Sequence, residues 1–270
     1  MTAQLHPGTP GYSFDNDDPE AVDRHVYLST IMDPYTFDRL STVGDLTGRR
    51  CLEVGAGGGS VARWLADQVG PTGHVLATDL KPEHLDDGSG YTVLQHDLVT
   101  EPVPAGEWDL IHARMVLLHI PEREEILARL AAALAPGGAL VVEDWASEFT
   151  GGILLNAPSP EAGDLFDDYQ DTLFRIIPRR GNDPTWAGRV HSLMLRAGLT
   201  DVETGVHARS WRGGEAGALL ILANVGQLRQ EFIEEGFGED RMAQLRTLVT
   251  DPQFVIRGHF MYANIGRKPV

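Results

Sequence analysis

Glu53, Gly55, Gly57 and Gly59 stand at alternate positions in the run Glu53-Val54-Gly55-Ala56-Gly57-Gly58-Gly59-Ser60. A carboxylate ahead of closely spaced glycines suits a nucleotide-like ligand. Glycine lets the backbone turn sharply and approach a ligand closely, because no Cβ intervenes. A second carboxylate, Asp79, closes the run His74-Val75-Leu76-Ala77-Thr78, where it is placed to accept hydrogen bonds from the two hydroxyls of a ribose. Candidate proton acceptors lie elsewhere: His119, His25 and Asp23, with Tyr27 nearby. Histidine titrates closest to neutral pH.

The elements that must position these groups are legible around them. Arg50-Cys51-Leu52 leads into the glycines as a short buried strand. A helix follows, with Ser60 as its cap and Val61, Leu65 and Val69 as one apolar stripe; Gly70-Pro71 stops it. The spacing therefore predicts a strand-turn-helix-strand unit with acidic residues at both strand ends, where open α/β sheets bind ligands. A dinucleotide fingerprint starting at Gly55 requires glycine at position 60, which is serine here. A turn that merely packs a helix on a sheet explains the glycines but not the two carboxylates.

The E-x-G-x-G-x-G run resembles that of the class I S-adenosylmethionine-dependent methyltransferases. The resemblance implies a doubly wound, Rossmann-like α/β fold with a seven-stranded, mostly parallel sheet. It implies that the turn at Gly55, Ala56 and Gly57 passes under the methionine part of the cofactor, that Asp79 holds the ribose, and that the segment around Asp23, His25 and Tyr27 lies over the cofactor as a lid. Tyr91–Gln95 and the following His96-Asp97-Leu98 resemble the family's third strand and adenine contact, with Leu80 against the other face of the ring. Trp108–Arg114 resembles its fourth strand, which brings Ala113 and Arg114 beside the methyl donor. Leu134-Ala135-Pro136-Gly137-Gly138 resembles the turn before its fifth strand. These motifs cover about residues 45–145. The stretches Leu117-Leu118-His119-Ile120-Pro121-Glu122 and His112-Ala113-Arg114 resemble actinobacterial small-molecule methyltransferases of natural-product pathways.

Composition fits a globular enzyme of 270 residues with 42% hydrophobic content and no apolar run near the roughly 18 residues of a membrane helix. The polar, acidic start is unlike a secretory signal, and a cytoplasmic protein is expected, with a homodimer as one possible assembly. The single cysteine, Cys51, falls in the first strand and reads as core. The net charge of −17 opposes phosphate binding, so nucleic-acid substrates are not expected; a small neutral or cationic organic acceptor fits that charge. The end of strand four supplies no acidic ligand, so no metal site is expected.

Methyl transfer from a sulfonium requires alignment and exclusion of water; a base is needed only for an acceptor whose proton has a high pKa. His119 is the first candidate, with a structural turn as its alternative reading; His25 and Asp23 follow. Arg114 reads either as a contact to the cofactor's carboxylate or as a partner of Asp15, Asp18 or Asp23 in closing a lid. Trp145, Tyr169 and Phe174 are candidate walls of an aromatic substrate pocket, or ordinary core.

The remaining chain divides into a tail over 1–14, an N-terminal helical lid over 15–45 interrupted at Asp33-Pro34, the core over 46–145, a helical cap over 146–181 and further core over 182–270. Helices are expected over Glu122–Leu134, Asp164–Ile177, Thr185–Ala197, Gly214–Gly236 and Glu239–Val249, and strands over Val202–Arg209 and Phe254–Ile265. Two other classes compete with a methyltransferase: a fold that binds the same cofactor but catalyses a cyclisation or rearrangement, and a non-catalytic binding module. A nicotinamide-dependent dehydrogenase is a minor third.

Overall fold

A computed structural model describes residues 21–86 and 88–270, with side chains from Arg24 onward. The tail over 1–14, the expected helix start at Asp17–Glu20 and the side chain of Asp23 lie outside the described residues.

In chain order the elements are α1 (Ala21–Ser41), β1 (Arg50–Val54), α2 (Ser60–Val69), β2 (His74–Asp79), β3 (Thr92–Gln95), β4 (Trp108–Arg114), α3 (Arg123–Ala132) and β5 (Leu134–Ala146). Then come β6 (Leu154–Asn156), α4 (Pro160–Ile176), α5 (Trp186–Arg196), β7 (Thr200–His207), β8 (Ser210–Arg212), α6 (Ala216–Gln227), α7 (Arg229–Glu234), α8 (Glu239–Leu248), β9 (Val255–Arg257) and β10 (Phe260–Arg267). β1 buries every residue after its first because it lies inside a seven-stranded sheet of order β3-β2-β1-β4-β5-β10-β7. β10 alone runs antiparallel, between β5 and β7. The sheet is thus the doubly wound α/β arrangement expected. Its strand order reverses beside β1, the point at which such sheets bind ligands at the strands' carboxyl ends.

α2 buries Val61, Ala62, Leu65 and Val69 against the sheet, the stripe its spacing dictates. Its cap differs from the expectation. Gly59, at φ +74°, occupies the N-cap position, and the Ser60 hydroxyl turns away to donate to Asp33 Oδ1 at 3.1 Å.

The break expected at Asp33-Pro34 is absent. α1 runs through Pro34 as one helix of 21 residues. An internal proline removes a backbone hydrogen bond and costs about 3 kcal/mol. Packing offsets it: Arg24, Leu28, Met32, Thr36 and Leu40 form an unbroken i, i+4 buried stripe that spans the proline, and α1 lies against α6 and α2. The expected single helix over 214–236 is two, α6 and α7, parted at the fully buried Leu228.

The expected final strand is also split. β9 leaves the large sheet to form a three-stranded sheet of order β6-β9-β8, while β10 returns to it. The region after β5 is therefore not purely helical. α4 starts where Ser159 Oγ accepts from Ala162 N, and its Leu165, Phe166, Tyr169 and Leu173 join Ile256, Trp211 and Phe232 in a separate apolar core. Among the described residues no helix is long and apolar enough to cross a membrane.

Candidate functional site

The glycine turn leaves β1 at Gly55 with φ +65° and continues through Gly57 at φ +53°, conformations that L side chains rarely adopt. A Cβ at Gly55 would stand 2.3 Å from Val116 Cγ2, so glycine is required there on space as well as on angle. Gly57 N donates to Asp79 Oδ2 at 2.9 Å, and Lys81 N donates to Asp79 Oδ1 at 3.0 Å. The end of β2 and the glycine turn are thereby fixed to each other. Burial raises the Asp79 carboxyl above its usual range, against the pull of these backbone donors. A Cβ at Gly57 would meet only the His25 imidazole, at 3.6 Å from Nε2, so a narrow gap separates the turn from α1. His25 packs edge-on to His84, and burial, with Arg24 and His84, lowers its pKa to about 4. Leu80, beside Asp79, is 49% exposed and offers an apolar face to a ring. Open backbone, a strand-end carboxylate and this exposed apolar side chain together fit an adenosine-bearing cofactor.

Beneath the turn lies a buried polar chain. Glu53 Oε2 accepts from His112 Nδ1 at 2.7 Å, and His112 Nε2 lies 3.3 Å from Glu143 Oε2. Thr36 of α1 donates to the same Glu143 oxygen at 2.6 Å and accepts from Arg114 Nη1 at 2.9 Å. Arg114 Nη2 pairs with Asp33 at 2.8 Å. Glu53 is therefore turned into the sheet, and Arg114 is paired with α1 through Asp33; Asp15, Asp18 and the side chain of Asp23 lie outside the described residues. Burial and the hydrogen-bonded His112 act in opposition on Glu143, whose carboxyl stays below its usual range.

Several other expected cofactor contacts already have partners within the protein. His96 is buried with Nε2 2.9 Å from the Pro102 carbonyl. Leu98 and Ala113 are buried in the main core, and Tyr27 packs against it. Both Asp97 oxygens serve their own turn, accepting from Val99 N and Thr100 Oγ1. Ala56, half-buried, donates its N–H to Thr78 O at 2.9 Å.

On the opposite side of the segment after β4 is a cavity of about 90 Å³. His119, Trp145, Tyr169 and Phe174 all line it, so the structure brings together the first catalytic candidate and the three expected pocket residues. Sequence reasoning missed Gln170, Asn182 and His259, which also line it. Gln170 Oε1, Asn182 Oδ1 and His259 Nδ1 are buried without a hydrogen-bond partner among the described residues. Gln170 follows Phe166 by four residues on α4, the one signal that could have drawn it in. Asn182 Nδ2 lies 3.3 Å from His119 Nδ1. Burial, with Arg24 and Arg123, lowers the His119 pKa to about 3, so the imidazole is neutral at physiological pH and a weak base. Among the described residues no group of three or more His, Cys, Asp or Glu side chains is disposed to hold a metal.

Residues 115–119 form the wall between the two sites. Val116 presses on Gly55, while Met115, Leu118 and His119 face the cavity. Met115, at the start of this wall, takes φ +56°, uncommon for a side-chain-bearing residue.

A family model described as a methyltransferase domain matches residues 28–204. The chain is 37% identical to methyltransferase str2 of Strobilurus tenacellus over 119 residues, which are 43% of this chain and 42% of that protein. It is 27% identical to methyltransferase GfsG of Streptomyces halstedii over 137 residues, 47% of this chain and 48% of that one. The matched segment thus spans less than half the length of these relatives. Among solved structures, the methyltransferase-like protein BH2331 of Bacillus halodurans C-125 superposes with a TM-score of 0.55 at 19% identity, covering 86% of this chain and 98% of that one. Phosphoethanolamine N-methyltransferase 2 of Haemonchus contortus, solved with S-adenosylhomocysteine, gives 0.50 at 18% identity, covering 83% of this chain and 49% of that one. At these identities the structures establish a shared fold. With the family model spanning residues 28–204, the chain belongs to the S-adenosylmethionine-dependent methyltransferase family.

Proposed function

We propose that this chain binds S-adenosylmethionine across the Gly55–Gly57 turn and Asp79, and moves its methyl group to an O, C or N atom of a small aromatic or polycyclic secondary metabolite held in the cavity. The observation that carries the reading is the single wall of residues 115–119, with Gly55 against one side and the cavity against the other. When bound, the cofactor supplies a methyl carbon on a sulfonium, open to in-line displacement. The chain's own residues do the rest. Asp79 and the turn fix the donor site. His25 and α1 cover it and exclude water, which alignment-driven catalysis needs. Trp145, Tyr169 and Phe174 give flat apolar walls for the acceptor. His119 is a hydrogen-bonding neighbour of the acceptor and not its base, since a group that keeps its proton only below about pH 3 accepts one poorly. The reading sets the enzyme in the cytoplasm, in secondary-metabolite biosynthesis.

Incubation with methyl-labelled S-adenosylmethionine and a panel of phenols, aromatic acids and indoles tests it. Label in one acceptor, with S-adenosylhomocysteine formed in equal amount, is the expected result. Conversion of an acceptor without consumption of the methyl donor would favour a cyclisation or rearrangement instead.

A further inference from the structure

Among the described residues, the charged groups that line the cavity have the sign opposite to the protein's net charge. The chain has a net charge of −17, yet among the described residues that line the cavity there is no Asp or Glu, while Arg24, Arg257, His119 and His259 all reach it. A smaller neighbouring cavity shares Trp145, Trp211 and His259 with it, adds Arg209 and His207, and again has no acidic lining residue among those described.

The carboxylates next to this region are already matched or held neutral. Asp183, adjacent to Asn182, pairs with Arg123 and Arg189 at 2.9 and 2.6 Å. Asp144, adjacent to Trp145, is pushed up to about 8 by burial and is protonated at neutral pH. Neither can balance the guanidinium of Arg257. That group donates only to carbonyl oxygens: Nε to Gly152, Nη1 to Gly258, and Nη2 to Phe149 and Gly151, all at 3.2–3.3 Å. Its charge is thus hydrogen-bonded but not neutralised, and one Nη1 hydrogen is left over. A cationic site walled by apolar rings attracts an anion far more strongly than the same charges in water.

Resting on the methyl-transfer reading, we infer that the acceptor enters this cavity as an anion, an aromatic carboxylate or an ionised phenol or enol, recognised by the charge of Arg257. This reverses the sign expected from the net charge, because net charge is set by the outer surface and the acceptor meets only the lining. The chemistry balances without a base. The anionic oxygen forms the new bond to the methyl carbon, the sulfur–carbon bond breaks with its electron pair to sulfur, and an anion and a cation become two neutral products. No proton moves, which agrees with the weak basicity of the buried imidazoles: burial first, with Arg24 and Arg123 at His119 and Arg257 at His259, lowers them to about 3 and about 4.

Calorimetric titration of the full chain near neutral pH, with and without S-adenosylhomocysteine, would use three probes on one ring: 4-hydroxybenzoate, 4-hydroxybenzamide and 4-hydroxybenzylamine. The acid is expected to bind at least about tenfold more tightly than the amide, roughly the gain of one charge-assisted contact, and the amine not at all. Arg257→Gln removes that preference and Arg257→Lys retains most of it. S-adenosylhomocysteine affinity stays unchanged in a correctly folded Arg257 variant. Equal or tighter binding of the amide or amine, failure of the acid to bind at millimolar concentration, or a preference that survives Arg257→Gln overturns the inference. Loss of S-adenosylhomocysteine binding by the unmodified chain would instead strike the methyl-transfer reading, while the acid-to-amide ratio is still read without it.

Discussion

His112 on β4 and Glu53 on β1 meet at 2.7 Å with neither side chain exposed by more than 3%. They are Cα partners in the parallel ladder, so the pair lies at one level of the sheet, two residues before Gly55. Burial alone would discharge the imidazole. Glu53 and Glu143 overrule it, and the His112 pKa rises to about 9. The resulting imidazolium holds together β1, β4 and β5, and through Thr36 and Arg114 it is joined to α1. The glycine turn is thus supported from below by charge as well as by packing.

Replacing His112 by leucine leaves two carboxylates buried without their cation. Removal of one member of a buried pair costs about 3–5 kcal/mol, and urea unfolding of His112→Leu is expected to show a loss of that order. The pH dependence follows from the direction of the shift. A folded pKa above the unfolded 6.5 means the contribution is complete below about 6.5 and is lost as pH rises through about 9. The unmodified chain should lose stability over that interval, and His112→Leu should lose less. Parallel curves for the two proteins would contradict the charged pair.

Gly55→Ala tests the turn. The alanine Cβ would collide with Val116 and would also sit at φ +65°. Val116→Ala relieves the first problem and not the second, which costs about 1–2 kcal/mol. Gly55→Ala is expected to weaken S-adenosylhomocysteine binding by tenfold or more, and the double variant to recover part of that loss. Full recovery would show that angle does not matter; no recovery would show that contact with Val116 does not.

Asp144 is buried at the end of β5, where it accepts from Trp186 Nε1 at 2.8 Å. Burial raises its pKa from 3.8 to about 8. The unfolded chain ionises this group from about pH 4 upward while the folded chain does not, so the penalty on stability grows between those values and persists above 8. Asp144→Asn keeps an oxygen for Trp186 and removes the penalty. The variant should melt higher than the unmodified chain near pH 8 and show no advantage near pH 4. A variant less stable at both values would mean that the carboxyl is ionised in the fold.

Local signals made the donor side readable. The run from Glu53 to Ser60 and the carboxylate Asp79 each announce a strand end, and the structure joins them through Gly57 N and Asp79 Oδ2. Expectations failed where a partner distant in sequence decides the outcome. Asp33-Pro34 reads as a helix stop until its neighbours on both sides are found buried along one stripe. The sheet of β6, β9 and β8 joins strands of three residues from distant parts of the chain, too short for an alternating pattern to show. His112 reads in sequence as a single polar residue in an apolar strand. Only the register, which sets Glu53 beside it, reveals its role. The cavity's polar lining was hidden for the same reason: Gln170, Asn182 and His259 come from three separate segments.

The most direct measurement is calorimetric titration of the purified chain with S-adenosylhomocysteine, with NAD as the control. Micromolar binding of S-adenosylhomocysteine, weakened tenfold or more in Gly55→Ala, and no binding of NAD is the predicted result. No heat with S-adenosylhomocysteine, or equal affinity for NAD, would contradict the assignment of the Gly55–Gly57 turn and Asp79 as the methyl-donor site.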